Sequence, residues 1–399
     1  MSFWSRLTGR KSATSSWALL REFLSGAGTS KAGTAVNWRT ALECGVAVAC
    51  ARVIADGLAQ VPFKVYRSLD GGGRREASDQ RIYDLLSRAP NGWQTSYEFR
   101  EQLALHLVFC SDAFVWINRV RGEIQELLPF EPQNVTVTRD GWDLRYAVRL
   151  ADGSSQQIPA AEMWHLRGPS WNGWQGLQGV RMAREAIGLA LATEEHGARL
   201  FSNGAMPGGV LSTDATLNDE QRKALRESWQ ATHGGGANAF KTAILWGGLK
   251  WNASAMESDK AQFIETRRFQ VEEVCRAFRV MPIMVGYSDK AATYASAEQM
   301  FLAHVTHTLG PWYARIEQSA DRALLTEAQR KQGLYTRFVV QGLMRGASAE
   351  RAEYYTKLYQ IGALNPNEIR ELEERNPYAG GDEYRVPLNM QQPGTSPAA

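Results

Sequence analysis

Residues 235–242 (GGANAFKT) carry the glycine, lysine and threonine of a phosphate-binding loop, but Phe240 stands where the second glycine belongs. Such a loop needs a strand before it and a helix after it, so that backbone N–H groups at the helix start meet the phosphates. Here the order is reversed. A helical pattern over residues 217–232 precedes the loop and a strand pattern over 242–246 follows, which aims the helix dipole the wrong way. Gly168-Pro169-Ser170-Trp171-Asn172 resembles a nucleophile elbow only until its fifth position, which requires glycine, and no acid and histidine follow in a usable arrangement. His304 and His307 sit three apart on a helical pattern with Glu298 nearby, the beginnings of a metal site that no HExxH motif or acidic cluster completes. Glu194 and Glu195 beside His196 fall on adjacent faces of a helix and cannot converge on one substrate atom. The pieces of nucleotide, acyl-transfer and metal chemistry are present without a centre, and the expectation is a non-enzyme with no catalytic residues, no metal and no cofactor.

The elements that would position these residues are easier to read. Over residues 42–58, Val46, Ala49, Cys50, Val53, Ile54 and Gly57 recur at helical spacing, and Pro62 then enforces an extended exit. Gly71, Gly72 and Gly73 mark a hairpin tip, a short helix covers 79–87, and Thr95 with Glu98 forms a capping box. Residues 113–119, 124–128, 135–138, 146–150 and 162–166 read as five strands of one antiparallel region, with turns at Arg121-Gly122, Asp140-Gly141 and Asp152-Gly153. Two long helical patterns, 177–203 and 259–279, enclose a strand, helix and strand unit over 209–254. On the second of them Ile264, Val271, Val274, Cys275 and Phe278 share one arc, with Gln262, Glu265, Glu272, Glu273 and Arg276 opposite. The pattern over 295–332 is broken at Gly310-Pro311, where a kink is expected because proline removes a donor and clashes one turn back. A strand over 335–340, a helical segment to 375 and a polar tail complete the chain. Residues 25–35, rich in Gly, Ser and Thr, read as a linker that cannot fix itself. The basic, amphipathic start (Phe3, Trp4, Arg6, Leu7, Arg10, Lys11) lacks the apolar region of an export signal and reads as a docking arm or flexible leader.

Composition bounds the class. At 399 residues, with 44% hydrophobic and 22% charged, the chain has material for two or three domains of about 150 residues, which excludes wholesale disorder, collagen and a coiled-coil rod. A formal charge of +3, from 45 Lys and Arg against 42 Asp and Glu, is weak for a protein that grips phosphates through a basic face. Cys44, Cys50, Cys110 and Cys275 are scattered through apolar stretches and read as buried free thiols. No run approaches the roughly 18 apolar residues of a membrane span, so no membrane partner is expected. Many of the thirteen tryptophans (Trp93, Trp142, Trp171, Trp174, Trp251) fall at loops or edges, which suits subunit interfaces.

Six segments in order carry a resemblance: VACARVIADGLAQVPFKVY (48–66), LLSRAPNGWQTSYEFRE (85–101), AREAIGLALATEEHGARLFSNGAMPGGVL (183–211), DKAQFIETRRFQVEEVCRAFRVMPIMVG (259–286), TLGPWYARIEQ (308–318) and GALNPNEIRELEERNPYAGGDEY (362–384). Together they resemble the portal proteins of tailed double-stranded-DNA bacteriophages, of the siphovirus type shared with gene transfer agents. Where that family commonly has a Gly-Asn-Ala-Tyr turn, this chain has Cys110-Ser111-Asp112-Ala113-Phe114, and Val180-Arg181 stands in place of a Ser-Pro pair after Gly179.

The resemblance implies an α+β portal fold: an N-terminal arm and linker (1–37), a β-rich wing (38–176), a first stem helix (177–208), a small α/β clip (209–256), a second stem helix (257–280), a tunnel loop (281–297), a long kinked wing helix with its closing strand (298–346), a helical crown (347–376) and a tail (377–399). It further implies a homo-oligomeric ring of about twelve copies at one capsid vertex of the virion, assembled in the host bacterial cytoplasm. Double-stranded DNA passes through such a ring without sequence preference, and terminase large subunit, a head-completion adaptor and the major capsid protein are the implied protein partners. On this reading Gln262, Glu265, Glu272, Glu273 and Arg276 line the channel from the stem, and Ser288, Asp289, Lys290, Thr293 and Tyr294 from the tunnel loop. Asp219, Glu220, Arg222, Lys223, Arg226 and Glu227 face partners from the clip. A scaffolding or binding module without a channel is the alternative.

Overall fold

The computed structural model describes residues 28–69, 73–177, 179–202, 210–213, 217–233, 248–252, 259–287, 294–340, 348–373 and 376–384. Strands β1 (Gly28–Thr29) and β2 (Ala35–Val36) pair as a small hairpin ahead of helices α1 (Trp38–Ala41) and α2 (Gly45–Ala59). Strands β3 (Phe63–Ser68) and β4 (Arg74–Glu76), helices α3 (Arg81–Ser87) and α4 (Ser96–Cys110), and strands β5 (Asp112–Val120) and β6 (Glu123–Phe130) follow. Next come β7 (Val135–Asp140), β8 (Asp143–Arg149), β9 (Ser155–Ile158) and β10 (Met163–Arg167). The helical half holds α5 (Gly179–Met182), α6 (Arg184–Ser202), β11 (Val210–Ser212), α7 (Asp219–His233), β12 (Lys250–Asn252) and α8 (Asp259–Phe278). It closes with α9 (Tyr294–His304), α10 (Gly310–Leu324), α11 (Glu327–Lys331), β13 (Leu334–Phe338), α12 (Ser348–Gln360) and α13 (Pro366–Leu372). The α+β class expected from the sequence holds.

The strands do not form one antiparallel region, as expected, but separate three-stranded sheets. β5 sits between β10 and β6, while β8 sits between β7 and β9, a strand too polar (Ser-Gln-Gln-Ile) to show in the sequence pattern. A third sheet, β13-β3-β4, pairs Phe338 with Phe63 and Leu334 with Arg67 across the length of the chain. The rings of Phe63 and Phe338 stack at 4.3 Å between centroids.

The main core lies where α2 and α4 pack together against the β5 sheet. Ile54, Leu58, Leu107, Ile117, Leu127 and Trp164 are all almost fully buried. Complete burial of such side chains stabilises by about 1.5–3 kcal/mol each, and the indole Nε1 of Trp164 is satisfied by Ser319 Oγ at 3.0 Å. A smaller apolar cluster (Phe114, Val137, Tyr146, Val148, Ile158, Met163) joins the second sheet to the first.

Two further expectations are corrected. The described part of the 25–35 stretch is not a linker: Lys31 N–H donates to Glu185 at 2.9 Å, Ser30 is buried, and Gly188 on α6 leaves room for it. The residues that fix the hairpin lie more than 150 positions away, beyond the reach of local composition. The break expected at Gly310-Pro311 falls one turn earlier, as a π-helical turn over Val305–Leu309. Pro311 itself stands in the first turn of α10, where a missing N–H costs little. That helix then stops at Leu324, because Thr326 caps a new one, α11, through a reciprocal bond with Gln329.

Candidate functional site

Helices α6 and α8 lie side by side, and each is rooted in the main core at one end. On α8, Gln270, Val274, Cys275 and Phe278 are buried, whereas Glu265 to Phe269 are exposed. On α6, Ile187 is fully buried, while Glu194, Glu195 and His196 near the other end are exposed. The segment that carries β11, α7 and β12 joins the two exposed ends. The apolar arc read from the sequence is the arc that seats α8: Val274 and Cys275 have no exposed surface, and Cys275 Sγ meets Cys50 Sγ of α2 at 3.7 Å. Ile264 lies where side chains are not described. Gln270, polar yet buried, was not legible as a core position.

The opposite arc carries charge of both signs, with exposed Arg268 and Arg276 among Glu265, Glu272 and Glu273. Glu265 is exposed, and neither it nor half-buried Glu272 forms an ion pair with a described residue. Glu273 is paired to Arg276 one turn on, so these two residues nearly cancel. Gln262 belongs to the same helix, its side chain outside the described residues. Glu272 and Arg276 also border a cleft of about 250 Å³ with Arg279, Met281 and Pro282, where the chain leaves the helix. There Arg279 takes a left-handed conformation (φ 58°) and the Val280 N–H bonds back to the Cys275 carbonyl at 2.9 Å, ending α8 abruptly. A short 3₁₀ turn, Pro282–Val285, closes on Gly286 at φ 77°. Of the expected loop contacts, Ser288, Asp289, Lys290 and Thr293 lie outside the described residues, and Tyr294 opens α9 with its side chain likewise outside them.

Helix α7 presents Asp219, Glu220, Arg222, Lys223, Arg226 and Glu227 to solvent, all six exposed. Asn218 caps it reciprocally with Gln221, and Asp219 stands 3.6 Å from Arg222. β11 and β12 pair antiparallel beside it.

The candidate chemical motifs are not brought together. His304 is buried and His307 exposed, on opposite sides of the π-helical turn. Ser170 and Asn172 spend their side chains on their own loop, accepting from Gly173, Trp174 and Gln175 N–H groups. Glu195 is tied to Arg199. Residues 235–242 lie outside the described residues. Among the described residues no group of three or more His, Cys, Asp or Glu could hold a metal ion, and no helix is long and apolar enough to cross a membrane.

Sequence reasoning missed the joint that sets the direction of α5 and α6. Ser111 caps α4 in a left-handed conformation (φ 60°), its Oγ accepting from Gly179 N–H at 2.9 Å and donating to the Leu177 carbonyl. Asp112 accepts from Gly176 N–H and from His165 Nε2, both near 3 Å. Gly168, Gly176 and Gly179 press so closely on this corner that a Cβ at Gly176 would lie 2.2 Å from the Ser111 carbonyl oxygen. The Ser111-Asp112 pair was visible only as a departure from the expected turn.

The family model described as phage portal protein matches residues 46–374. The chain is 31% identical to the probable portal protein of Streptomyces phage phiC31, over 100% of this chain and 91% of that protein. It is 29% identical to the portal protein of Enterobacteria phage HK97, over 88% of this chain and 82% of that one. Among solved structures, a chain from the neck of a native gene transfer agent particle, computed with twelvefold symmetry, superposes with a TM-score of 0.56 at 21% identity, covering 93% of this chain and 100% of that one.

Proposed function

Because the chain belongs to the phage portal protein family, we propose that about twelve copies close into a ring at one capsid vertex, through which double-stranded DNA is packaged and ejected. The observation that carries this reading is the pair α6 and α8, rooted in the core at one end and with most described residues toward the other end exposed. Such exposed ends suit a barrel whose neighbours cover them. The two helices serve as the stem (177–208 and 257–280), residues 209–256 as the clip, 38–176 with 298–346 as the wing, 281–297 as the tunnel loop and 347–376 as the crown, flanked by the arm (1–37) and tail (377–399). The ring has no catalytic role and no cofactor. It stands in the virion after assembly in the host cytoplasm.

The polar arc of α8 faces the channel. DNA carries one charge per about 1.7 Å of its axis, so a lining that neutralised many phosphates would hold the duplex. Glu265 and Glu272, repeated around the axis, repel it instead, with Gln262, Glu273 and Arg276 adding no net charge; Ser288, Asp289, Lys290, Thr293 and Tyr294 brush the duplex from the tunnel loop. The mixed-sign face of α7 (Asp219, Glu220, Arg222, Lys223, Arg226, Glu227) meets terminase large subunit during packaging and a head-completion adaptor afterwards. The wing meets the major capsid protein.

Native mass spectrometry with negative-stain averages tests the ring: a closed assembly near twelve copies with a central hole is expected, and a compact dimer without a hole would sink the reading. Glu265→Lys and Glu272→Lys are each expected to slow packaging of DNA into heads several-fold while rings still form. Normal packaging in both variants removes the glutamate lining.

A further inference from the structure

A cleft of about 690 Å³ opens between the β7–β8 turn, the loop at 172–174 and α10. Its floor includes Tyr146 and His165, set edge to face at 5.6 Å, and its rim carries Trp142, 88% exposed, and Trp174. Arg139, Arg167 and Arg322 reach it from three different elements, while Asp143 is the one carboxylate residue that lines it.

The three guanidinium groups keep their charge. None forms an ion pair with a described residue, whereas Arg145 on the same hairpin is closed by Asp140. Arg139 donates from Nε to the Gly141 carbonyl at 2.8 Å and lies over the Trp142 ring, 4.8 Å from its centre. Arg167 donates from Nη1 to the Gly173 carbonyl at 2.7 Å. A carbonyl fixes a guanidinium without cancelling its charge and leaves the other N–H groups for an incoming acceptor. His165 contributes no charge of its own at neutral pH, since burial lowers its pKa against the pull of Asp112 at 3.0 Å.

We propose that this cleft docks an acidic peptide segment of a partner protein, with carboxylates on Arg139, Arg167 and Arg322 and an aromatic side chain seated against Trp142 and Trp174. Charge complementarity selects an anion, and shape selects a peptide. A concave cleft of this size holds a short segment, while a DNA duplex is a convex rod that reaches the rim arginines but not the floor at Tyr146 and His165. Tryptophan and arginine are also the side chains that most often anchor protein interfaces. The cleft shares no lining residue with the stem and tunnel-loop positions proposed for the channel.

The test is fluorescence anisotropy on the full-length protein, with a labelled peptide of alternating Asp and Glu around one Trp as probe. The same peptide with Lys for each acid, and a short DNA duplex, serve as comparisons. The acidic peptide is expected to bind and the lysine peptide to fail. Arg322→Glu and Trp142→Ala are each expected to weaken binding about tenfold or more. Both positions are exposed, so circular dichroism should be unchanged. Absence of acidic-peptide binding up to about 1 mM overturns the proposal, as does equal binding by both variants. Arg322-dependent binding of the duplex in place of the peptide gives the cleft to nucleic acid, and peptide binding to monomers but not rings gives it to a second copy of this chain. Ring formation, scored in the same samples, reports on the channel reading alone.

Discussion

His106 on α4 is a polar ring in an apolar place. Its Nδ1 is buried without a hydrogen-bond partner among the described residues, and burial pulls its pKa from 6.5 down to about 4. The folded protein therefore binds this proton later than the unfolded chain does. The stability tied to the neutral ring is complete above pH 6.5 and is lost as pH falls from there through about 4. The full shift would correspond to about 3 kcal/mol, and because part of the ring is still wet, about 2 kcal/mol is the expected loss. His304, buried against the π-helical turn with an unpartnered Nδ1, shifts in the same direction by the same cause. His106→Leu is expected to reduce the fall in melting temperature between neutral pH and pH 4.5, leaving the slope due to His304, His165 and the carboxylates. Parallel pH profiles for the two proteins would show that His106 does not titrate with unfolding.

At the scale of elements, the joint between α4, β5 and α5 depends on glycines for space. A Cβ on Gly176 meets backbone, the Ser111 carbonyl oxygen at 2.2 Å, and one on Gly179 meets the Val108 carbonyl oxygen at 2.6 Å. Backbone cannot swing aside as a flexible side chain can. Gly176→Ala is expected to cost about 1–3 kcal/mol, while Gly92→Ala, with nothing within 4 Å of its Cβ, should stay within about 0.5 kcal/mol. Denaturant midpoints compare them, and equal midpoints would mean that the joint yields freely. The same contrast explains what was legible beforehand. The Thr95–Glu98 capping box, the buried arc of α8 and the exposed face of α7 are written within one or two turns of sequence, and each was readable. The β13–β3 pairing, the docking of the Gly28–Val36 hairpin on Glu185 154 positions away, the Ser111 corner reaching Gly179 68 positions away, and the meeting of Arg139 with Arg322 in the cleft all join residues distant in the chain. Nothing local in Ser30 announces that Gly188 will make room for it.

At the scale of the whole molecule, the described residues expose a run of large apolar side chains. Met300, Phe301 and Leu302 are consecutive on α9 and all exposed, Leu302 at 48%, and Phe269 on α8 is exposed at 55%. Three successive residues turn through about 200° of a helix, so no rotation of α9 onto its own chain could bury all three. An exposed stretch of this kind marks an interaction surface, and the expected cover in a ring is the neighbouring copy. Covering what remains exposed of each of these side chains contributes on the order of 1 kcal/mol, repeated at every interface, so a charge placed there opposes closure around the whole circle. Leu302→Asp is thus expected to yield a folded monomer with an unchanged circular dichroism spectrum and no ring by native mass spectrometry. The same change at Trp142, exposed but far from this face in sequence and sheet, should leave assembly intact. Rings formed by Leu302→Asp at the wild-type concentration would move the subunit contact away from α9 and leave its apolar residues needing another cover.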